Sequence, residues 1–283
     1  RVIKVIKAGL YTSIQDLGRS PLQPIGVPMG GAMDRESAQN ANALLENEPN
    51  AAVLEITMTG PVLTFTENAW VAFSGAIFPI YIDQNTASTN TPIWVKAGQE
   101  LRFGTLEKGV RLYMAIKGGF LNEPLLGSRS MQAHLSPIIK LEKGMELQHR
   151  SGEKDQAIIL EKKSNTPLGA KKILAFQGPE FKYLNPEQQE GLNQQTFKVS
   201  NLNNRMAYQL LPSLSAFEKN QITGPVLPGT VQITPSGNVM VLMREAQTTG
   251  GYPRILQLTQ ESINALAQLK TGDSFRIKIL PLN

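Results

Sequence analysis

The chain of 283 residues contains no cysteine, which excludes disulfides, thiolate zinc sites, iron–sulfur clusters and a cysteine nucleophile together. Histidine is nearly as scarce. His134 and His149 are the only two, and neither stands in a His-Glu-x-x-His or Gly-x-Ser-x-Gly setting, so a zinc hydrolase and a serine–histidine triad are not expected. No metal-ligating set emerges. A Gly-x-x-x-x-Gly-Lys-[Ser/Thr] phosphate loop is also missing: the nearest approach, Gly104 to Gly109, runs on into Val110-Arg111, so no ATP site of that kind is evident. There is no Met-Lys dipeptide, hence no lysine in the setting that carries biotin. No apolar run approaches the roughly 20 residues that span a bilayer. Arg1 to Lys7 alternates like a strand, unlike a signal sequence. Basic residues outnumber acidic ones by 28 to 23, but they are scattered and leave no nucleic-acid footprint. The expectation is a cytoplasmic protein with neither nucleic-acid nor membrane partners.

What is present is enough apolar residue, 41%, to build a core. From Val53 the pattern has period two: Val53 to Met58, Val62 to Phe65, Trp70 to Phe73, Pro79 to Ile82, Ile93 to Val95, Glu100 to Phe103 and Arg111 to Ile116. Short strands parted by Gly, Pro and Asn predict an antiparallel barrel or sandwich. Asp34 can cap a helix from Arg35 to about Glu46, with Ala38, Ala41 and Leu45 on one face. Ala8 to Gly31 reads as a long loop. Lys140 to Asn165 is charged and poorly patterned apart from Ala157 to Leu160, which predicts a loose boundary between domains 1–165 and 166–283. The second half holds Ile173 to Pro179, Phe197 to Ser200, Arg205 to Leu210 and a closing strand Phe275 to Leu280. Thr259 caps a helix whose buried stripe is Ile263, Leu266, Ala267 and Leu269. Each half contains a strand and then a Gly-Gly-aromatic corner, Met114 to Phe120 and Met243 to Tyr252, a weak sign of two related barrels.

Several stretches carry polar groups to strand ends. Gln247-Thr248-Thr249-Gly250-Gly251-Tyr252-Pro253 follows the apolar run Val239 to Met243. Either its glycines let backbone N–H groups face a ligand, or they supply positive φ to a hairpin before the next strand. Asp16 and Arg19 are spaced to pair across Gly18, as a turn-fixing ion pair or as substrate contacts. Gly127-Ser128-Arg129-Ser130 is either an anion nest with a planar arginine fork or a surface turn. Glu55, inside a strand, lies on a wet face or lines a barrel mouth. The residue types left after the exclusions are carboxylates, arginines, hydroxyls and glycines, a set suited to positioning and polarising a small amide.

Tyr11 to Arg19, Gly26-Val27-Pro28, Gly31-Ala32-Met33-Asp34, Leu54 to Thr57, Gly60-Pro61, Gly127 to Ser130, Arg205-Met206 and Gln247 to Pro253 occur in an order that resembles the biotin-dependent carboxyltransferase family. That family includes the C subunit of bacterial 5-oxoprolinase (KipA) and the allophanate hydrolase subunit 2 type domain of urea carboxylase. The resemblance implies a mainly β fold of two cyclophilin-like antiparallel barrels with a few short helices. It implies partners too: a KipI-like subunit of 5-oxoprolinase and a third one, with ATP used by the complex to open the lactam of 5-oxoproline. Two alternatives travel with it, namely carboxyl transfer to urea or a similar amide from biotin on another protein, and non-catalytic binding of a KipI-like kinase inhibitor. On this resemblance Asp16, Arg19, Gln247 and Thr248 are candidate catalytic residues. Gln15, Ser128, Arg129, Arg205, Thr249, Gly250, Gly251 and Tyr252 are candidates for substrate binding. The chain departs from the family pattern at Asn203 to Gln209, which has one carboxylate and one arginine fewer, and at Arg244-Glu245-Ala246, where Ala-Asp-Arg is usual.

Overall fold

The computed structural model describes residues 1–150, 165–217 and 222–281. The apolar run Ala157 to Leu160 lies outside them. Among the described residues the chain is mainly β with three α-helices, and it forms two compact units: Arg1–Gly18 with Asp34–Leu168, and Arg19–Met33 with Gly169–Asn283.

The first unit contains two antiparallel sheets where a barrel was expected. In one, the strands run in the order Glu146–Gln148, Val2–Lys7, Val62–Phe65, Glu100–Phe103, Ile80–Ile82 and Asn85–Ala87; in the other, Tyr11–Gln15, Val53–Thr57, Lys108–Ile116, Ala69–Ile77 and Ile93–Val95. The register of the second sheet explains a correction. Tyr11–Gln15 is a strand, not part of a loop, and its residues Thr12 to Gln15 are all buried. With both faces covered, the alternation that betrays a strand disappears. Ile14, Leu54, Met114 and Phe73 line up across four strands and belong to the apolar core. One position along, Ser13, Glu55, Tyr113 and Ser74 form a polar row on the opposite face, each no more than 1% exposed.

Glu55 is therefore on no wet face. Its Oε2 accepts from the Tyr113 hydroxyl at 2.8 Å, and Arg111 Nε lies 3.6 Å from Oε1. Burial, then the Glu55 and Asp34 charges, push the Tyr113 phenol well up, so it stays a protonated donor. Its oxygen also accepts the backbone N–H of Asp34 at 2.8 Å. Asp34 caps the Arg35–Leu44 helix as expected: its carboxylate accepts from Ser37 N at 3.1 Å and Ser37 Oγ at 2.6 Å. The helix buries Ala38, Ala41 and Leu44 and packs on the Lys108–Ile116 and Ala69–Ile77 strands. Thr166 Oγ1 donates to the same Asp34 carboxylate at 3.0 Å, and Asn165 N to Glu36 at 3.0 Å.

The second unit closes a seven-stranded barrel in the order Lys172–Gln177, Arg254–Leu258, Thr230–Ile233, Val239–Leu242, Ala207–Leu211, Phe197–Asn203 and Ser274–Leu280. It is not wholly antiparallel, since Lys172–Gln177 and Ser274–Leu280 run parallel. Phe197, Tyr208, Leu210, Val231, Val239, Ile255 and Phe275 fill it. Thr259 caps the Gln260–Ala267 helix by accepting from Ser262 N at 3.2 Å, and Ile263, Leu266, Ala267 and Leu269 are buried. A helix that the periodicity did not disclose, Pro186–Gln194, starts from an Asn185/Gln188 capping box with Pro at its first turn. Among the described residues no helix is long and apolar enough to cross a membrane.

Tyr113→Phe removes both the donor to Glu55 and the acceptor of Asp34 N–H, so we expect a loss of about 2 kcal/mol of stability. It is read as a lowered urea midpoint of the intact chain. An unshifted midpoint would show that the Glu55–Tyr113–Asp34 series contributes nothing.

Candidate functional site

The predicted site residues fall into two groups, one in each unit. In the first unit the structure brings Gln15, Asp16, Ser128 and Arg129 together. The Tyr11–Gln15 strand ends at Asp16, which is 5% exposed. Asp16 Oδ1 accepts from Gly18 N at 2.8 Å and from Ser128 Oγ and Ser130 Oγ at 2.6 Å each; Oδ2 accepts from Arg129 N at 2.6 Å. Ser130 Oγ in turn accepts from Asp16 N at 3.0 Å. The donors expected of an anion nest are thus present, and the anion they hold is the chain's own carboxylate.

Leu126 and Gly127, both at positive φ, form the turn that makes this possible, closed by reciprocal backbone bonds between Leu125 and Ser128. Arg129 is half-buried, and its Nη1 donates to the Asn122 carbonyl, so its fork is partly engaged. Gln15 is fully buried. Its Nε2 donates to Ser13 Oγ at 2.9 Å and to Met131 O at 2.8 Å, while Oε1 has no hydrogen-bond partner. Arg35 Nη2 donates to Leu17 O at 2.6 Å. Burial lowers the Arg35 guanidinium, and the Asp16 charge opposes that.

In the second unit Arg205 is 8% exposed and faces its own chain: Nε meets Glu245 Oε1 at 2.5 Å and Nη2 donates to Gly31 O at 2.6 Å. Sequence reasoning missed this carboxylate, as it missed Arg244. Arg244, 1% exposed, donates to Asn264 Oδ1 at 3.0 Å, to Gln260 Oε1 at 3.2 Å and to Met33 O at 3.4 Å, while its carbonyl accepts from Gly30 N at 2.8 Å. The Gly30 to Met33 segment is therefore strapped down by two arginines. Arg19, also 1% exposed, donates its backbone N–H to Met29 O at 2.7 Å.

The Gln247 to Tyr252 stretch presents its polar groups outward: Thr249, Gly251 and Tyr252 are exposed, Gln247 and Thr248 half-buried. Thr249–Gly250 pairs with Gly224–Pro225, and Thr248 O accepts from Val226 N at 3.0 Å. Neither glycine has positive φ, which overturns the hairpin account of this pair and separates it from Gly118 and Gly119, both at positive φ. Gly250 answers a close approach instead. A Cβ there would lie 2.6 Å from Gln232 Nε2, which donates to Tyr252 O at 3.0 Å. A Cβ on Gly251 would meet only Thr223 Oγ1 at 3.6 Å, ordinary contact.

The next strand opens with an ion pair that the sequence reading also missed. Glu180 accepts from Arg254 at three atoms: Oε2 from N and Nε at 2.9 Å, Oε1 from Nη2 at 2.8 Å. The fourth donor, Nη1, reaches Pro225 O at 3.0 Å. Bonding to Arg254 holds the Glu180 carboxyl below its usual range, against the opposing effect of burial, and raises the Arg254 guanidinium. The only sequence signal for it was Gly178-Pro179-Glu180, a corner in which a Cβ on Gly178 would stand 2.2 Å from Arg254 O.

Chemically, the exposed loop can offer the Thr248 and Thr249 hydroxyls and the Gln247 amide to a small amide. The Ser128–Ser130 turn offers a phosphate or carboxylate little, since Asp16 already occupies its donors. Among the described residues no three His, Cys, Asp or Glu are grouped so as to hold a metal ion.

We expect Gly250→Ala to cost about 1–3 kcal/mol by driving Gln232 off Tyr252 O. Gly251→Ala should leave the thermal midpoint within experimental scatter; equal losses would contradict this assignment of the two glycines. The lowered Glu180 carboxyl adds stability that is present above the unfolded carboxylate pKa of about 4.3 and is lost as pH falls through the lower folded value. Glu180→Gln should lack that increment, so its stability deficit against the parent should shrink as the pH is taken below about 4. A deficit that stays constant with pH would refute it.

A sequence model described as carboxyltransferase domain, subdomain A and B, matches residues 25–279. The chain is 33% identical over 279 residues to the C subunit of 5-oxoprolinase from Escherichia coli (strain K12), covering 96% of this chain and 89% of that one. Among solved structures, TTHA0988 superposes with a TM-score of 0.87 at 26% identity, over 98% of this chain but only 55% of its own. The K. lactis urea amidolyase gives the same TM-score and identity over 100% of this chain and 19% of its own. The chain thus spans most of the bacterial protein but only about half of the solved TTHA0988 chain and a fifth of the amidolyase. It belongs to the carboxyltransferase domain, subdomain A and B, family.

Proposed function

We propose that the chain is a subunit of a heteromeric ATP-dependent 5-oxoprolinase, which opens the lactam of 5-oxoproline to glutamate together with a KipI-like partner and a third component. The observation that carries this is the 33% identity to the C subunit of a 5-oxoprolinase along nearly the whole of both chains. In this reading both units descend from a cyclophilin-like barrel, one closed and the other opened into two sheets. Gln247, Thr248 and the Gly250-Gly251 backbone hold the lactam oxygen, with Thr249 and Tyr252 beside them. Exposure of this loop supports that role. Asp16 acts through the Ser128-Arg129-Ser130 turn that it pins, so Arg129, Ser128 and Gln15 owe their placement to it. Arg19 and Arg205, buried in the second unit, shape the site through the Arg19 to Met33 segment. Water supplies the oxygen that becomes the new carboxylate, the C–N bond of the lactam breaks, and the nitrogen leaves as the glutamate amine. ATP is hydrolysed by the complex.

Carboxyl transfer from biotin on another protein to urea or a similar amide is the second reading. It is favoured by the whole-chain superposition on the urea amidolyase.

Co-expression with the products of adjacent genes, purification of the complex and an assay of ATP-dependent glutamate release test the first reading. Release of glutamate in step with ATP hydrolysis is expected. An intact three-part complex that releases none would overturn it, and a biotinylated partner on a streptavidin blot would move the assignment to the second.

A further inference from the structure

An exposed loop that is to hold a ligand needs something rigid behind it; Gln232 ties its Tyr252 end to the barrel, and a second support lies at its Thr249–Gly250 end. The Thr249–Gly250 segment hydrogen-bonds to the short Gly224–Pro225 strand, and neither belongs to the seven-stranded barrel. The described side-chain bonds that fasten the Pro225 to Pro228 strip to the barrel come from three residues. Arg254 Nη1 donates to Pro225 O at 3.0 Å, Thr230 Oγ1 accepts from Leu227 N at 3.1 Å, and Gln257 Nε2 donates to Pro228 O at 2.9 Å. Thr230 and Gln257 are also bonded to each other at 2.8 Å. Of the three, Arg254 is the tie nearest the loop, and its own geometry is fixed. Glu180 grips its Nε, Nη2 and backbone N–H, and a planar guanidinium held at two nitrogens leaves the third with a set direction.

We infer that the Glu180–Arg254 pair is a positioning device for the Gln247 to Tyr252 loop, acting on its Thr249–Gly250 end through the Pro225 carbonyl and the Gly224–Pro225/Thr249–Gly250 ladder. Neither residue touches substrate in this account; both are positioning residues. Arg254 starts a barrel strand paired on both sides, so the pair transfers the rigidity of the barrel wall to a loop outside it. Gly178 belongs to the same device: its N–H donates to Ile255 O at 2.9 Å, and its missing side chain lets the corner fold against Arg254 O so that Glu180 can reach round. Lys182 is another charged group that acts on Glu180, and it lowers the carboxyl in the same direction as Arg254. The functional consequence rests on the reading of the loop as the lactam-binding element; the mechanical one does not.

The test uses the full chain in two variants, Glu180→Gln and Arg254→Lys, followed by hydrogen–deuterium exchange of the backbone amides. Peptides covering 222–227 and 247–252 should exchange about tenfold faster or more, with 230–233 and 239–242 protected as in the parent. Unchanged exchange in the first two, or equal acceleration throughout the barrel, would overturn the inference. Glu180→Asp, which keeps the charge, should restore part of the protection. In the assembled complex the KM for 5-oxoproline should rise about tenfold with kcat less affected, as expected when a binding group is displaced rather than removed. A parent complex that releases no glutamate would sink the functional reading alone, because the exchange result still decides the positioning role.

Discussion

A carboxylate buried in the middle of a sheet has to be met by donors, and in the first unit much follows from Glu55. Burial without partners would cost several kcal/mol or force protonation. The Tyr113 hydroxyl and Arg111 meet that need. The same hydroxyl then becomes the acceptor for Asp34 N–H, which fixes where the Arg35–Leu44 helix begins. Asp34, once placed, receives Ser37 and Thr166, so the position of Thr166 is set by the same series. One charge inside the sheet thus dictates the neighbour across the strand, the helix start and the anchoring of Thr166.

The same logic governs the candidate site, with the signs of the charges exchanged between units. In the first unit a carboxylate, Asp16, collects backbone and hydroxyl donors from a turn more than a hundred residues away in sequence. In the second, arginines collect backbone carbonyls: Arg205 that of Gly31, Arg244 that of Met33, Arg254 that of Pro225. Guanidinium groups suit this task because five donors in a plane can satisfy a carboxylate and still reach a carbonyl. Arg205 does both with Glu245 and Gly31, and Arg254 with Glu180 and Pro225. The Gly31 to Met33 segment, which would otherwise leave buried polar backbone unpaired, is held in this way without a regular ladder.

What the sequence disclosed follows from how locally each feature is determined. The strands Val62–Phe65, Ile93–Val95 and Glu100–Phe103 and both capped helices, from Asp34 and Thr259, were legible because alternation and capping are nearest-neighbour properties. Tyr11–Gln15 was not, because burial on both faces erases its period. Thr249–Gly250 and Gly224–Pro225 are two residues each, too short for any period to register. Of the site, the motifs were legible and the partners were not. Glu180, Arg244, Glu245 and Gln232 act through contacts 20 to more than 200 positions away, and nothing in a single sequence pairs them. Barrel closure belongs to the same class: it depends on a parallel contact between Lys172–Gln177 and Ser274–Leu280, a pairing that hairpin reasoning never generates.

The glycines of the Gln247 to Tyr252 loop show how a motif divides once its surroundings are known. A side chain on Gly250 would displace Gln232 from Tyr252 O, so the presence of glycine there needs no ligand to explain it. Gly251 is not at positive φ and has room for a side chain, so packing gives no reason for it, and glycine has an entropic cost wherever its freedom is not used. A glycine kept at such a cost on an exposed loop, between Thr249 and Tyr252, is accounted for if something outside this chain approaches the backbone there. Asp16 argues the other way. Its carboxylate oxygens are engaged by four donors of its own unit, so the role its geometry supports is to hold the Ser128–Ser130 turn; under the proposed function, contact with a small amide falls to the exposed loop.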